Sequence, residues 1–271
     1  IKRERTTLVG KISHQRTVYF FIADGRKVYF DVFIPTHFIN NAKHNDKVKI
    51  EITSFPEKEG ENPEGRVVEV FGQVGENDAE MHSIMAELDL PMNFPRSVTR
   101  EADQIDEKIS NEEIKKRRDF RKVTTFTIDP VDAKDFDDAL SIEKLENGIW
   151  EIGVHIADVT HYVLPETALE QEAYNRATSI YLVDRVVPML PEILSNDACS
   201  LKPNEEKLTF SAVFDINDQS EVIHQWFGRT VIYSQLRLAY EEAQYIIETD
   251  QETIPAEVSI TNQSRSIDSK M

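Results

Sequence analysis

One cysteine, Cys199, stands in 271 residues. That excludes an internal disulfide and suits a reducing compartment, so the expected location is cytoplasmic. No run of about 18 apolar residues occurs, which removes a membrane-spanning helix from the expected fold. The opening Ile1-Lys2-Arg3-Glu4-Arg5 lacks the apolar core of a secretory signal and an initiator Met, so the chain is expected to start inside a longer one. Repeats and low-complexity tracts are lacking too. Positive charge is in short supply: 31 Lys+Arg face 49 Asp+Glu, a net of −18. Such a protein repels phosphate unless its charges are segregated or neutralised by metal. Here they are segregated. Residues 1–75 hold 12 basic and 10 acidic side chains, and the remainder holds 19 and 39. A mildly basic module joined to an acidic body is compatible with that split, as is a plain acidic cytosolic protein.

What is present is a 40% hydrophobic chain, enough for real cores. Residues 8–72 read as short strands. Val18 to Ile22 is β-branched and aromatic, Asp24-Gly25 marks a turn, and Val28 to Ile34 is a second such run. Val48 to Ile52 alternates, Pro56 to Gly65 is a polar loop, and Arg66 to Phe71 closes the set. Five short strands in about 65 residues suit a small closed barrel of the OB type. The period then changes. Met81, Ile84, Met85 and Leu88 recur at helical spacing behind Asn77 and Glu80, placed like a capping pair, and Ser110 with Glu113 suggests a further helix start. Residues 76–122 are expected to form a helical connector.

A second domain is expected from Val123. Val123 to Ile128 is a strand candidate. Trp150, Ile152, Val154 and Ile156 alternate with Glu151, Gly153 and His155, the pattern of a strand with one buried face. Thr167 and Glu170 form a capping box. Leu208 to Ile216 and Val222 to Tyr233 read as a hairpin around Asn217-Asp218, and Leu236 to Glu248 as a helix. The expected fold class is α+β: an OB-type barrel over 1–75, the connector, and a mixed α/β body over 123–271.

The most informative stretch is Thr127-Ile-Asp-Pro-Val-Asp-Ala-Lys-Asp-Phe-Asp-Asp-Ala-Leu140, with five aspartates in ten positions directly after an apolar strand that Pro130 ends. Like charges this close repel, so a folded site needs a counter-charge. Hard divalent cations accept oxygen ligands. One or two such ions can bridge phosphate oxygens and activate water. A solvated acidic loop whose aspartates cap turns is the rival reading. An EF-hand fits poorly because its glycine is missing, and zinc because Cys199 has no neighbouring His or Cys at ligand spacing. His155 and His161 read as ordinary strand or loop histidines.

That stretch resembles the signature loop of the RNB catalytic domain of the ribonuclease II/R family. Three further segments match in order: His155-Ile-Ala-Asp-Val159, Thr178-Ser-Ile-Tyr-Leu182, and Val187-Pro-Met-Leu-Pro191 continuing through Leu194-Ser-Asn-Asp-Ala-Cys-Ser-Leu201. The likeness covers most of 8–245 and leans toward bacterial ribonuclease R. It implies a magnesium-dependent 3′→5′ exoribonuclease, with Mn²⁺ as a substitute ion, that degrades single-stranded RNA processively to nucleoside 5′-monophosphates. It maps the family's metal-site aspartates onto Asp129, Asp135, Asp137 and Asp138. Asp129 and Asp138 become the direct ligands and Asp137 the carboxylate whose loss most damages chemistry. Tyr181 takes the place of a tyrosine that stacks on the RNA 3′ end, a contact worth about 1–3 kcal/mol per base. The front barrel resembles a cold-shock domain, which implies RNA contacts from Tyr19, Phe21 and Phe33. Two departures are Val18 and Phe20 in place of interleaved glycines, and Pro35 in place of a histidine. The family's later phosphate-positioning arginine and S1-type barrel find no counterpart, so the chain reads as a truncated, monomeric fragment. A non-catalytic RNA-binding module on the same fold is the alternative for the isolated piece. The acidic ligands decide between the two readings.

Overall fold

A computed structural model describes residues 6–25, 28–56, 58, 60–249 and 253–261. Parts of the polar loop 56–65 and of the polar tail lie outside the described residues. Two compact units divide the chain, 1–93 and 94–271.

In the first unit a closed five-stranded barrel runs in the order β1 (Thr7–Gln15), β2 (Val18–Ala23), β3 (Val32–Ile34), β5 (Glu64–Gln73), β4 (Asp46–Ser54). Alternation on each strand points Ile12, Phe21, Val32, Ile34, Val48, Ile50, Ile52 and Val67 inward. Each fully buried side chain of this kind contributes about 1.5–3 kcal/mol. Gly10 is where β1 crosses β2 closely: a Cβ there would run into the Ile22 carbonyl and Ala23. The second aromatic run is shorter than the sequence suggests. Only Val32–Ile34 pairs as a strand, and Tyr29 before it is 91% exposed. Helix α1 (Asn77–Glu87) packs on this barrel, buries Ala79, Ser83, Met85 and Ala86, and joins it through Lys47, whose Nζ lies 2.6 Å from Asp24 and 3.0 Å from Glu80. Its start differs from the expected Asn77–Glu80 cap. Glu76 is the N-cap, and Glu80 accepts instead from the Gly75 N–H at 3.0 Å.

The second unit begins with α2 (Arg96–Ala102) and α3 (Asn111–Ile114), so the stretch 76–122 is shared between the two units. As expected, the Ser110 hydroxyl accepts from the Glu113 N–H at the start of α3. The body is a seven-stranded mixed sheet built from β6 (Arg118–Asp119), β7 (Thr124–Asp129), β8 (Asp138–Lys144), β9 (Trp150–Ala157), β12 (Glu206–Ile216), β13 (Val222–Tyr233) and β14 (Leu236–Ala239). Its spatial order is β14-β7-β8-β9-β12-β13-β6. The edge strands β14 and β6 run parallel to their neighbours and the rest antiparallel. Between β9 and β12 lie α4 (Val159–Tyr162), α5 (Ala168–Arg176), the two-stranded pair β10 (Ile180–Tyr181) and β11 (Val186–Val187), and a wide π-type turn over Ile193–Ala198. Helix α6 (Tyr240–Thr249) follows β14. Residues 236–239, read as helix from the sequence, are thus strand. Parallel pairing with β7 overrides the local helical preference, fixed by a two-way clamp: Gln235 N–H donates to the Thr125 carbonyl and the Gln235 side chain accepts from Thr125 N–H.

The faces of β9 invert the simplest reading of its alternation. Glu151, Gly153, His155 and Ala157 are buried, while Ile156 is 50% exposed beside Phe210, its partner on β12, at 51%. Polar burial is affordable because every group finds a partner. The His155 ring lies between the hydroxyls of Ser141 (2.8 Å) and Ser211 (2.6 Å), and Arg118 meets Glu151 at 2.6 Å. Gly153 makes room for that ring, since a Cβ there would collide with Ser141 Oγ and the imidazole itself. On this side the core is Val98, Ala102, Phe120, Phe136, Ala139, Leu169, Leu190, Leu194, Leu201, Val213 and Ile232.

Candidate functional site

The aspartate run occupies the connection from β7 to β8. Asp129 is the last residue of β7 and Asp138 the first of β8, so both are anchored by sheet pairing. Between them the loop is held by its one large apolar residue. Phe136 is buried in the core, which leaves Asp135 and Asp137 on either side of it nearer the surface. The backbone around Phe136 is fixed from three directions. Ser200 Oγ accepts from the Phe136 N–H (3.0 Å) and donates to the Lys134 carbonyl (3.2 Å), the Leu201 N–H donates to the Phe136 carbonyl (2.8 Å), and the Ala157 N–H donates to the Asp137 carbonyl (3.0 Å). Arg237, on β14, lies over the Phe136 ring and donates to the carbonyls of Pro130 and Val131. This is a counter-charge of the kind the crowded loop requires.

The electrostatics are those of a site that resists its own charge. Burial holds the Asp129 carboxyl above its ordinary value; the Thr127 hydroxyl and Arg237 oppose that, and the Asp138 and Asp137 charges add to it. Asp129 Oδ2 is buried with no partner in good hydrogen-bond geometry; the Thr127 hydroxyl beside it is the nearest donor to that carboxyl. The Asp137 carboxyl is raised as well. Its side chain reaches solvent, but the surrounding chain still desolvates it, and Asp135 and Asp138 push in the same direction. An all-oxygen donor set with an orphaned buried oxygen fits a hard divalent ion. Among the described residues no three acidic, His or Cys side chains converge on one point. Mg²⁺ does not need them to, because it is commonly held by one or two carboxylates with waters and substrate phosphate.

Tyr181 is brought to this loop from 46 residues away. It sits on β10, 65% exposed, and its hydroxyl donates to Asp135 Oδ2 at 3.0 Å. Asp132 is exposed on the loop. The histidines stay out of the site. His155 is wholly buried and pushed down to about 4 by burial and by Arg118, and His161 contacts Glu113 and Arg117 instead.

In the barrel the structure corrects one assignment. Phe21 is 0% exposed, at the centre of the barrel core, and offers no face to a base. Parity explains this. Phe21 pairs with Ile12 and Val32, both inward, so its neighbour Phe20 takes the outward place beside Phe33, with ring centroids 6.1 Å apart. Tyr19 is half-buried and stacks on His14 at 4.2 Å. Sequence reasoning missed Phe20, Ser200 and Arg237. Ser200 lay inside a matched segment, but Arg237 gave no local signal.

A closed barrel followed by a mixed sheet carrying a clamped carboxylate loop defines a two-module architecture with an acidic centre. The model described as the RNB domain matches residues 117–269, and the chain belongs to that family; a model described as the cold shock domain matches residues 20–95. Ribonuclease R of Thermotoga maritima is 40% identical over 250 residues, covering 92% of this chain and 35% of that protein. The solved structure of Mycoplasma genitalium RNase R in complex with double-stranded RNA matches with a TM-score of 0.83 at 26% identity, over 95% of this chain and 45% of that one. Yeast Ssd1, described as a pseudonuclease, shares the fold at a TM-score of 0.67 and 21% identity, over 94% of this chain and 33% of that one. The chain therefore spans less than half the length of each of these proteins. Among the described residues no helix is long and apolar enough to cross a membrane.

Proposed function

We propose that this chain is part of a magnesium-dependent exoribonuclease that degrades single-stranded RNA processively from its 3′ end and releases nucleoside 5′-monophosphates. The observation that carries the reading is the buried Oδ2 of Asp129, which lacks a partner in good hydrogen-bond geometry, at the edge of a loop that also presents Asp135, Asp137 and Asp138. Ssd1 shows that this fold also occurs in a pseudonuclease, so the weight rests on these four side chains. A bound divalent ion would supply phosphate binding, charge neutralisation and an acidified water. Asp129 and Asp138, fixed at facing strand ends, would hold it. Asp137 is held above its ordinary value by burial and by the neighbouring Asp135 and Asp138, so a bound cation would favour its ionised form. Tyr181 offers an accessible ring to the terminal nucleotide next to those carboxylates, and stacking of that kind tolerates any sequence. Phe20, Phe33 and exposed Tyr29 give the barrel an aromatic surface for the incoming strand.

The test uses labelled single-stranded RNA with and without Mg²⁺ or Mn²⁺. In the full-length protein, Asp137→Asn abolishes degradation and leaves RNA bound; turnover at the normal rate would overturn the reading. The 271-residue chain alone is expected to bind RNA with little or no turnover.

A further inference from the structure

The Tyr181 ring faces solvent beside the aspartate loop. The hydroxyl donates to Asp135 Oδ2 at 3.0 Å, and both ends of that bond are held by other contacts. On the tyrosine side, Ile180 and Tyr181 pair with Val187 and Val186, and the Ser179 hydroxyl accepts from the Met189 N–H. On the aspartate side, the next residue is Phe136, buried and clamped by Ser200 and Leu201. A solvent-facing phenol has water as an alternative partner; here it bridges two segments 46 residues apart.

We infer that the Tyr181 hydroxyl is a positioning group for Asp135, turning that carboxylate toward a divalent ion, so that ion occupancy and the placement of the Tyr181 ring are coupled. This rests on the proposed function and adds to it a link between the ion and the nucleotide-stacking ring. An ionised carboxylate has two oxygens and about four lone-pair positions. A single phenol donor on Oδ2 fixes the carboxylate plane and leaves the other oxygen available. Hydrogen bonds of this outer kind commonly change metal affinity 10- to 100-fold. The linkage is reciprocal: if the hydroxyl tightens ion binding, a bound ion steadies the ring by the same factor.

The experiment is Mn²⁺ titration of the 271-residue chain without RNA, read by electron paramagnetic resonance and calorimetry, on wild type, Tyr181→Phe and Asp135→Asn. Tyr181→Phe keeps the ring and removes only the donor. It is expected to bind Mn²⁺ about tenfold more weakly, with an unchanged thermal midpoint in EDTA. Asp135→Asn is expected to be at least as weak. A structural role alone would move the EDTA midpoint and not the Mn²⁺ affinity. Mn²⁺ bound by Tyr181→Phe as tightly as by wild type, or more tightly, overturns the inference while the proposed function stands. Absence of Mn²⁺ binding by wild type itself overturns the proposed function.

Discussion

The guanidinium of Arg237 lies 4.8 Å above the Phe136 ring, and its Nη2 donates to the carbonyls of Pro130 (3.1 Å) and Val131 (2.8 Å). One side chain thereby fixes the entry of the aspartate loop and covers its apolar anchor. Charged hydrogen bonds contribute about 1.5–3 kcal/mol, and a cation over an aromatic face about 0.5–2 kcal/mol. Arg237→Met should cost about 2–3 kcal/mol of the second unit's stability by those magnitudes. It should also weaken Mn²⁺ binding, because the loop loses its tether and its counter-charge together. Urea unfolding followed by Trp fluorescence reads this unit alone, since both tryptophans, Trp150 and Trp226, lie in it. An unchanged midpoint with unchanged Mn²⁺ affinity would refute the role.

Phe136 is the other half of that contact. It is buried in the main core between two aspartates that are not. Phe136→Ala leaves a cavity and should cost about 3–5 kcal/mol, whereas Phe136→Leu, which keeps most of the apolar volume, should cost about 1.5 kcal/mol or less. The two variants separate anchoring from general core loss. If burial of an apolar side chain is what presents Asp135 and Asp137, the leucine variant keeps Mn²⁺ affinity within a few-fold of wild type. A leucine variant that folds but no longer binds the ion would show that the aromatic face under Arg237 matters in itself.

Much of this was legible along the chain, and the reasons differ by element. The aspartate run could be read because its members are neighbours in sequence and a β-strand with a following proline fixes their setting. Barrel and sheet were readable from alternation. The face of each strand was not always so. In Val18-Tyr-Phe-Phe-Ile22 consecutive aromatics give no parity, and only register with Ile12 and Val32 puts Phe21 inside and Phe20 out. In β9 the apolar set is the less covered one, because the polar set is satisfied by Ser141 of β8, Ser211 of β12 and Arg118 of β6. Contacts such as Tyr181–Asp135 and Arg237–Pro130 join residues 46 and 107 apart, where spacing carries no information.

Asp129 trades stability for binding. Its carboxyl is held above the usual range by burial, so the ionised form is less comfortable folded than unfolded. That penalty is complete above the folded value and fades as pH falls through it and the group protonates. Asp129→Asn should therefore raise the thermal midpoint in EDTA at pH 8 by about 2–4 °C, on the order of 1 kcal/mol, with a smaller gain near pH 4. Added Mn²⁺ should stabilise wild type and not the variant. A variant that melts below wild type at pH 8 would show that the buried oxygen is satisfied after all.

His155 supplies a pH dependence of its own. Enclosed by Ser141, Ser211 and Phe120, it is neutral in the fold and pushed down to about 4 by burial, with Arg118 adding. The unfolded chain takes up a proton near pH 6.5 and the folded one does not. Its contribution is thus fully present above 6.5 and is lost as pH falls toward 4, by about 3 kcal/mol over that window. His155→Gln cannot be protonated. The stability gap between wild type and this variant should narrow by that amount from pH 7 to pH 4, measured by urea unfolding on Trp fluorescence. A gap constant across this range would mean the imidazole already carries its proton in the fold.

Arg117 and Asp158 form the most deeply buried ion pair near the site, with Nη1 to Oδ2 at 2.8 Å and both side chains almost wholly covered. The contact is an ion pair more than a well-angled hydrogen bond, since Asp158 Oδ2 has no partner in good hydrogen-bond geometry. Arg117 also reaches Glu113 at 2.8 Å and the carbonyls of Thr209 and Thr230, so it joins α3 to β12 and β13. Asp158 is held below its ordinary value. Burial works against that, but the Thr160 hydroxyl, Arg117 and Arg229 outweigh it. Removing one member strands the other, which costs about 3–5 kcal/mol; replacing both with apolar groups of similar size is often neutral or stabilising. Arg117→Met and Asp158→Leu should each be severely destabilising at pH 7, and the double variant should recover most of the loss. Ala157, next to Asp158, donates to the Asp137 carbonyl, so the pair also fixes the strand end on which that aspartate leans. If fixing that strand end is a function of the pair, the double variant regains its unfolding midpoint and still binds Mn²⁺ more weakly than wild type. Full recovery of both would reduce the pair to a piece of core that charge happens to fill.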